Sequence, residues 1–279
     1  MTDIERLIDL LLSPDPSTRS YGMELAVSLG RAACDAALQS FVLESDGLLW
    51  RPGGFSAELL SLALSASPLV VAQVRRLVLG IRVDAALLAQ IATLPGLCDL
   101  TLSHVSVADL APIATMPALT RLTINHSRLN IAPLSRMGGL THLSLAGSKV
   151  DSLRPIQGMR SLRSLCLRGV DAPSTAAPEG VTHLDLMGFH SNITNLNALS
   201  LHTLKATHFV TKHFTGRDRL ASLSVEKCDD PSVYYGLPVE HLELAVKSRA
   251  SSDLAALLPL TGLTSVKLSG DGYRKPLRS

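Results

Sequence analysis

The sequence predicts an α/β solenoid, in which a curved parallel β-sheet built from one short strand per repeat follows an N-terminal α-helical cap. Three observations carry this prediction. Aliphatic residues recur at the first, fourth and sixth places of a unit that returns ten times between residues 74 and 279. Hydrophobic residues make up 46% of the chain and aromatic ones only 4%, which suits a core of many thin aliphatic layers. Residues 1–73 lack that period and carry helix punctuation instead.

In the helical part, DIERLIDLLLS runs up to the break at Pro14-Asp15-Pro16. STRSYGMELAVSLG resumes with Ser17 as its expected cap and closes on Gly30. RAACDAALQSFVLE offers a third helix, and a fourth begins near Phe55 with Ser56 as cap. Between them, residues 47–54, GLLWRPGG, read as a turn-rich connector, and its Trp50 reads as packing between layers. Residues 1–73 are thus expected to form a helical cap region and residues 74–279 the repeat domain.

The repeat openings are VRRLVL at 74, LCDLTL at 97, LTRLTI at 119, LTHLSL at 140, LRSLCL at 162, VTHLDL at 181, LHTLKA at 201, LASLSV at 220, VEHLEL at 239 and LTSVKL at 263. Second halves recur as well: VADLAPIATMPA at 107–118 and VDSLRPIQGMRS at 150–161 place leucine, then proline and isoleucine, at matching offsets. In these features the chain resembles the leucine-rich repeat proteins, and its 22-residue units are most similar to those of internalins. The resemblance implies a horseshoe whose parallel sheet lines the concave side and binds partner proteins. The chain departs from the family at the ninth position. Where an asparagine usually bonds the turn backbone, it has Val105, Ser127, Ser148, Val170, Phe189, Phe209 and Cys228. Its turns must therefore satisfy their backbone groups by other means.

Alternation along a strand turns the leucines inward and positions three, five and seven outward. One unit cannot bury its leucines alone, so stacking aligns the outward residues in columns. The early and middle repeats present small, weakly polar groups there. From Arg168 onward the columns and the adjoining eighth positions become densely charged: Arg168, His183, Asp185, Lys205, His208, Glu226, Lys227, His241, Glu243 and Lys267. These ten residues are the candidate protein-binding site. Against that stands the alternative that they are solvated sheet positions pairing among themselves, Asp185 with Lys205 for example.

Sites of chemistry are sparse. His104 and His126 share the eighth position of adjacent repeats, but two imidazoles fall short of a zinc site. Six of the nine histidines are expected on the concave face, which would make partner affinity sensitive to pH between 5 and 8. Cys166 has Asp185 as its column neighbour and His183 on a diagonal at about 8 Å, too loose for a nucleophile–base pair. Cys228-Asp229-Asp230 is similar to the Cys-x-Asp signature of bacterial leucine-rich-repeat ubiquitin ligases. Those enzymes carry it in a separate helical domain, whereas here it lies within a repeat, so the activity is not carried over. The chain contains no phosphate-binding loop, zinc-protease helix or nucleophile elbow, so no cofactor, metal or enzymatic activity is expected.

Charge is uneven. Residues 1–50 hold eight acidic and three basic side chains, and the remainder 16 acidic and 23 basic. Clustered basic residues with interleaved aromatics are missing, so nucleic acid is not the expected partner. Cys34, Cys98, Cys166 and Cys228 are widely spaced, as in a reducing compartment. The acidic start MTDIERLIDLLL does not read as a secretory signal, and Asn125-His126-Ser127 and Asn192-Ile193-Thr194 then read as chance triplets, not glycosylation sites. The apolar stretch 57–74 is interrupted by Glu58, Pro68 and Gln73. The expectation is a soluble cytoplasmic protein, and arginine over lysine with abundant alanine points to a bacterial genome. Its expected role is non-enzymatic binding of a partner protein, as a toxin-neutralising immunity protein. An effector acting on a host protein, or an enzyme using Cys166, is the alternative.

Overall fold

From Val74 to Leu244, every side chain at the first, fourth and sixth positions of a repeat is at most 3% exposed. At roughly 1.5–3 kcal/mol per buried aliphatic side chain, three such residues per coil dominate the local energetics. The computed structural model describes residues 2–11, 13, 15–29, 48–49, 74–80, 82–106, 109–189, 191–211, 214, 220–230, 234, 239–246 and 263–269. The expected third and fourth helices, Trp50 and Cys34 lie outside the described residues. The chain divides into two compact units, Met1–Leu140 and Thr141–Ser279.

Unit 1 opens with α1, Asp3–Leu11, and α2, Pro16–Leu29, which pack against each other. A capping box starts α1: the Thr2 hydroxyl accepts from the Glu5 N–H at 3.2 Å, and the Glu5 carboxylate accepts from the Thr2 N–H at 2.6 Å. The start of α2 differs from the sequence expectation. Its cap is Asp15, not Ser17, because Pro16 occupies the first helical position, where a missing N–H costs nothing. The Asp15 carboxylate then accepts from the Thr18 N–H at 2.9 Å and from both neighbouring hydroxyls. These bonds, that from Ser17 first, hold its pKa well below the usual carboxylate range.

Four parallel strands follow: β1, Leu48–Leu49; β2, Arg76–Leu79; β3, Asp99–Ser103; and β4, Arg121–Asn125. The expected connector at 47–54 therefore contains a strand, whose Leu48 and Leu49 pair with Leu77 and Val78 along the edge of β2. Unit 2 continues the pattern with β5, His142–Ser144; β6, Ser164–Cys166; β7, His183–Asp185; β8, Thr203–Thr207; β9, Ser222–Cys228; β10, His241–Val246; and β11, Ser265–Ser269. These strands too are parallel, each paired with the next. Each unit is thus a stack of leucine-rich-repeat coils. Among the described residues β11 has a neighbour on one side only, and its fourth-position Val266 is 43% exposed.

The opposite side of each coil is irregular. Helix α3, Ala85–Ile91, is capped by Asp84, and the short α4, Ala111–Ala114, follows Leu110 with Pro112 in its first turn. Tight 3₁₀ turns replace helices at Ala132–Arg136, Arg154–Ile156 and Leu196–Ala198. The recurrent leucine and isoleucine flanking each proline are buried, as Leu110 with Ile113 and Leu153 with Ile156. No helix among the described residues is long and apolar enough to cross a membrane.

At the eighth position the backbone turns left-handed. His104, His126, Gly147, Gly169, Gly188 and Lys227 all have φ between 51° and 65°. A left-handed residue costs roughly 1–2 kcal/mol unless it is glycine. The missing asparagines are replaced by two devices. The eighth-position N–H donates to the seventh-position carbonyl of the next coil, as Gly147 to Arg168 and Gly169 to Met187, both at 2.8 Å. The ninth-position N–H folds back to its own sixth-position carbonyl, as Val170 to Leu167 at 3.1 Å. At Val105 a serine substitutes directly: Ser127 Oγ accepts from the Val105 N–H at 2.8 Å and donates to the Asn125 carbonyl at 2.9 Å.

Candidate functional site

Register decides which side chains meet on the display face, the sheet face that carries positions three, five and seven. In unit 2 the third positions align as His142, Ser164, His183, Thr203, Ser222, His241 and Ser265. The fifth positions align as Ser144, Cys166, Asp185, Lys205, Ser224, Glu243 and Lys267. The columns read from the sequence are therefore real columns. One offset slipped by a single residue would have put the leucines there instead.

The charges in them pair in an order the sequence does not give. Asp185 bonds Arg168 Nη2 at 2.8 Å, not Lys205. The cause is the other carboxylate oxygen, which accepts from the Met187 N–H at 3.0 Å and so swings Asp185 toward the seventh position, where Arg168 stands one strand away. The bond and charge of Asp185 push the Arg168 guanidinium further up in pKa. Glu243 makes the second pair, with Lys267 Nζ at 2.6 Å, and accepts from the Ser224 hydroxyl at 3.1 Å. The Lys267 bond is the main reason its carboxyl lies below the usual range. Lys205 lies between these pairs, half-buried, and among the described residues it bonds neither carboxylate. Glu226 is likewise half-buried, and Lys227 is exposed on its left-handed turn.

Six of the described histidines fall into three groups. His142, His183 and His241 stand on the display face, each with a threonine hydroxyl at Nδ1: Thr141 at 2.8 Å, Thr182 at 2.9 Å and Thr264 at 3.3 Å. Thr182 and Thr264 also donate to backbone carbonyls, at 3.3 and 2.9 Å, which ties each pair to the neighbouring strand. His104 and His126, by contrast, occupy turns rather than the strand face. Their rings stack at 5.6 Å with an interplanar angle of 20°. His208 departs from the expected column, because it begins the short helix α5, His208–Thr211, where other coils turn left-handed. Thr211 anchors that helix, pairing with the hydroxyl of the buried Tyr234 at 2.5 Å.

Cys166 is half-buried and reduced beside an Asp185 that is already bonded to Arg168 and to the Met187 N–H. Cys228 is fully buried, and burial pushes its thiol up to about 11, so it carries little thiolate near neutral pH. No cluster of three or more His, Cys, Asp or Glu side chains able to hold a metal occurs among the described residues. Two features of the site went unread in the sequence. One is the glycine series 147, 169 and 188, visible as glycine at a constant offset; the other is the threonine placed before or opposite each display-face histidine.

No family model matches the chain, and no curated protein matches it in sequence. Solved structures match it in coordinates, at low sequence identity. An internalin, inlF, from Listeria monocytogenes is 19% identical over 73% of this chain and 62% of its own, with a TM-score of 0.38. The plant peptide hormone receptor RGFR1, in complex with RGF2, is 14% identical over 72% of this chain and 40% of its own, with a TM-score of 0.42. The ectodomain of the Arabidopsis receptor kinase HAESA, in complex with a peptide hormone, is 16% identical over 71% of this chain and 38% of its own, with a TM-score of 0.36. The chain thus spans less than two thirds of the length of each.

Proposed function

We propose that this chain is a non-enzymatic binding module that docks a partner protein on the display face of unit 2. One observation supports the reading above the others. Two ion pairs, Arg168–Asp185 and Glu243–Lys267, are already assembled on the face, while Lys205 and Glu226 stand between them without a bonded counter-charge. Preassembled pairs fix a charge pattern at no ordering cost to the partner, and unpaired neighbours select for a complementary one. The Thr-anchored imidazoles His183 and His241 add oriented polar groups beside that pattern.

As the setting we propose a bacterial cytoplasm, with neutralisation of a toxin as the role; an effector engaging a host protein is the second. The two differ in the source of the partner, which is the same cell in the first case and the host in the second. A stoichiometric partner is expected to copurify with the intact protein from its own organism. Reversing Asp185, Lys205 and Glu226 to Lys, Glu and Lys is expected to release it, and Val78→Thr in unit 1 to leave it bound. Retention by the triple variant would refute the reading.

A further inference from the structure

Unit 1 presents a differently charged surface on β2, β3 and β4. Its repeats, residues 74–140, contain six arginines, three aspartates and neither lysine nor glutamate. Two of the aspartates are engaged by backbone, Asp84 as the α3 cap accepting from the Leu87 N–H and Asp109 accepting from the Ala111 N–H, each at 2.9 Å. The third, Asp99, stands in the third-position row between Arg76 and Arg121 and meets Arg76 at 3.5 Å. Arg121 is exposed and, among the described residues, makes no ion pair. The rest of the face is uncharged, with Val78, Thr101 and Thr123 in the fifth row and Ser103 and Asn125 in the seventh. Beyond the strand ends lies the exposed His104–His126 stack. Both imidazoles sit at left-handed positions that glycine fills in the next three coils.

We infer that this face docks an acidic segment of a partner protein, whose carboxylates meet Arg121 at one end and the His104–His126 pair at the other. Arg121 and His126 are five positions apart, so along an extended strand the two ends lie about 16 Å apart. A single small anion cannot span them; an extended run of five or six acidic residues can. Asp99 is the only carboxylate among the described residues of the strands facing that segment, and Arg76 already engages it. Nucleic acid fits less well, because β2–β4 carry no aromatic side chain for base stacking.

The probe is a hexaglutamate peptide added at low salt to the full-length ¹⁵N-labelled protein, with amide shifts followed by NMR. Shifts are expected on β3, β4 and the turns at 104 and 126. Binding should weaken at least fivefold in Arg121→Gln and stay unchanged in Lys149→Gln, whose ammonium pairs with Asp171 at 3.3 Å off the display face. Binding should also weaken in the double variant His104→Gly, His126→Gly. Should the double variant fail to fold, Arg121→Gln decides alone. Absence of shifts, unweakened binding by Arg121→Gln, dependence on Lys149, or tighter binding of a hexathymidylate than of hexaglutamate would each overturn the inference.

Discussion

The turns that close the strands are filled differently in the two units. Unit 1 places His104 and His126 at the left-handed position, whereas unit 2 places Gly147, Gly169 and Gly188 there before returning to a side chain at Lys227. The backbone angles are nearly the same in all six, so the coil geometry sets the conformation and the residue type is free to answer other needs. Glycine meets the turn without steric cost; histidine and lysine meet it with a cost and display a cationic or titratable group. The display faces differ in parallel. Unit 1 holds a loose Arg76–Asp99 contact and an unengaged Arg121, and unit 2 holds two tight ion pairs around an unengaged Lys205. Identical leucine ladders therefore carry two different surfaces.

The largest expected effects test whether the ladders are equivalent. Leu100→Ala in unit 1 and Leu184→Ala in unit 2, both at most 1% exposed, should each cost about 2–5 kcal/mol in urea unfolding. A difference of more than twofold between them would break the equivalence. Next come the turns and their polar substitutes. Ser127→Ala removes the acceptor of the buried Val105 N–H and should cost about 1–3 kcal/mol.

Glycine variants sharpen the comparison at smaller magnitude. Gly188→Ala, at φ +65°, should cost about 1–2 kcal/mol, while His126→Gly should leave thermal stability within about 1 kcal/mol of the parent. Away from the turns, an added Cβ at Gly180 would lie 2.9 Å from the Arg160 carbonyl oxygen, whereas at Gly139 nothing comes nearer than 3.8 Å. Gly180→Ala should therefore lower the melting temperature measurably more than Gly139→Ala.

The smallest effects belong to the ion pairs. Arg168→Met and Lys267→Met should each change stability by less than about 1 kcal/mol, since the basic partners are largely exposed. Glu243 titrates below the usual range when folded, so its stabilising contribution is complete above the ordinary glutamate pKa and is lost as pH falls through the lowered value. In Lys267→Met, carbon-detected NMR should show its carboxyl pKa moving up.

The architecture was legible in the sequence because leucine spacing states it directly, and even the columns followed from alternation, down to Cys166 beside Asp185. The pairing within those columns was not. It turns on where a carboxylate is aimed, and the Met187 N–H that aims Asp185 is a backbone group with no signature in residue type. His208 misled for a related reason. Its place in the repeat is regular, and the Thr211–Tyr234 bond that anchors the helix there joins residues 23 apart. At α2 the signal was present but misassigned, since proline at the first helical position marks Asp15 as the cap.

Hydrogen–deuterium exchange on the intact chain, with and without the protein that copurifies with it, tests the central claim most directly. Slowed exchange confined to β7–β10 of unit 2, and reduced by Lys205→Glu, is the predicted result. Protection of the 3₁₀ turns at 154–156 and 196–198 with none on β7–β10 would contradict it.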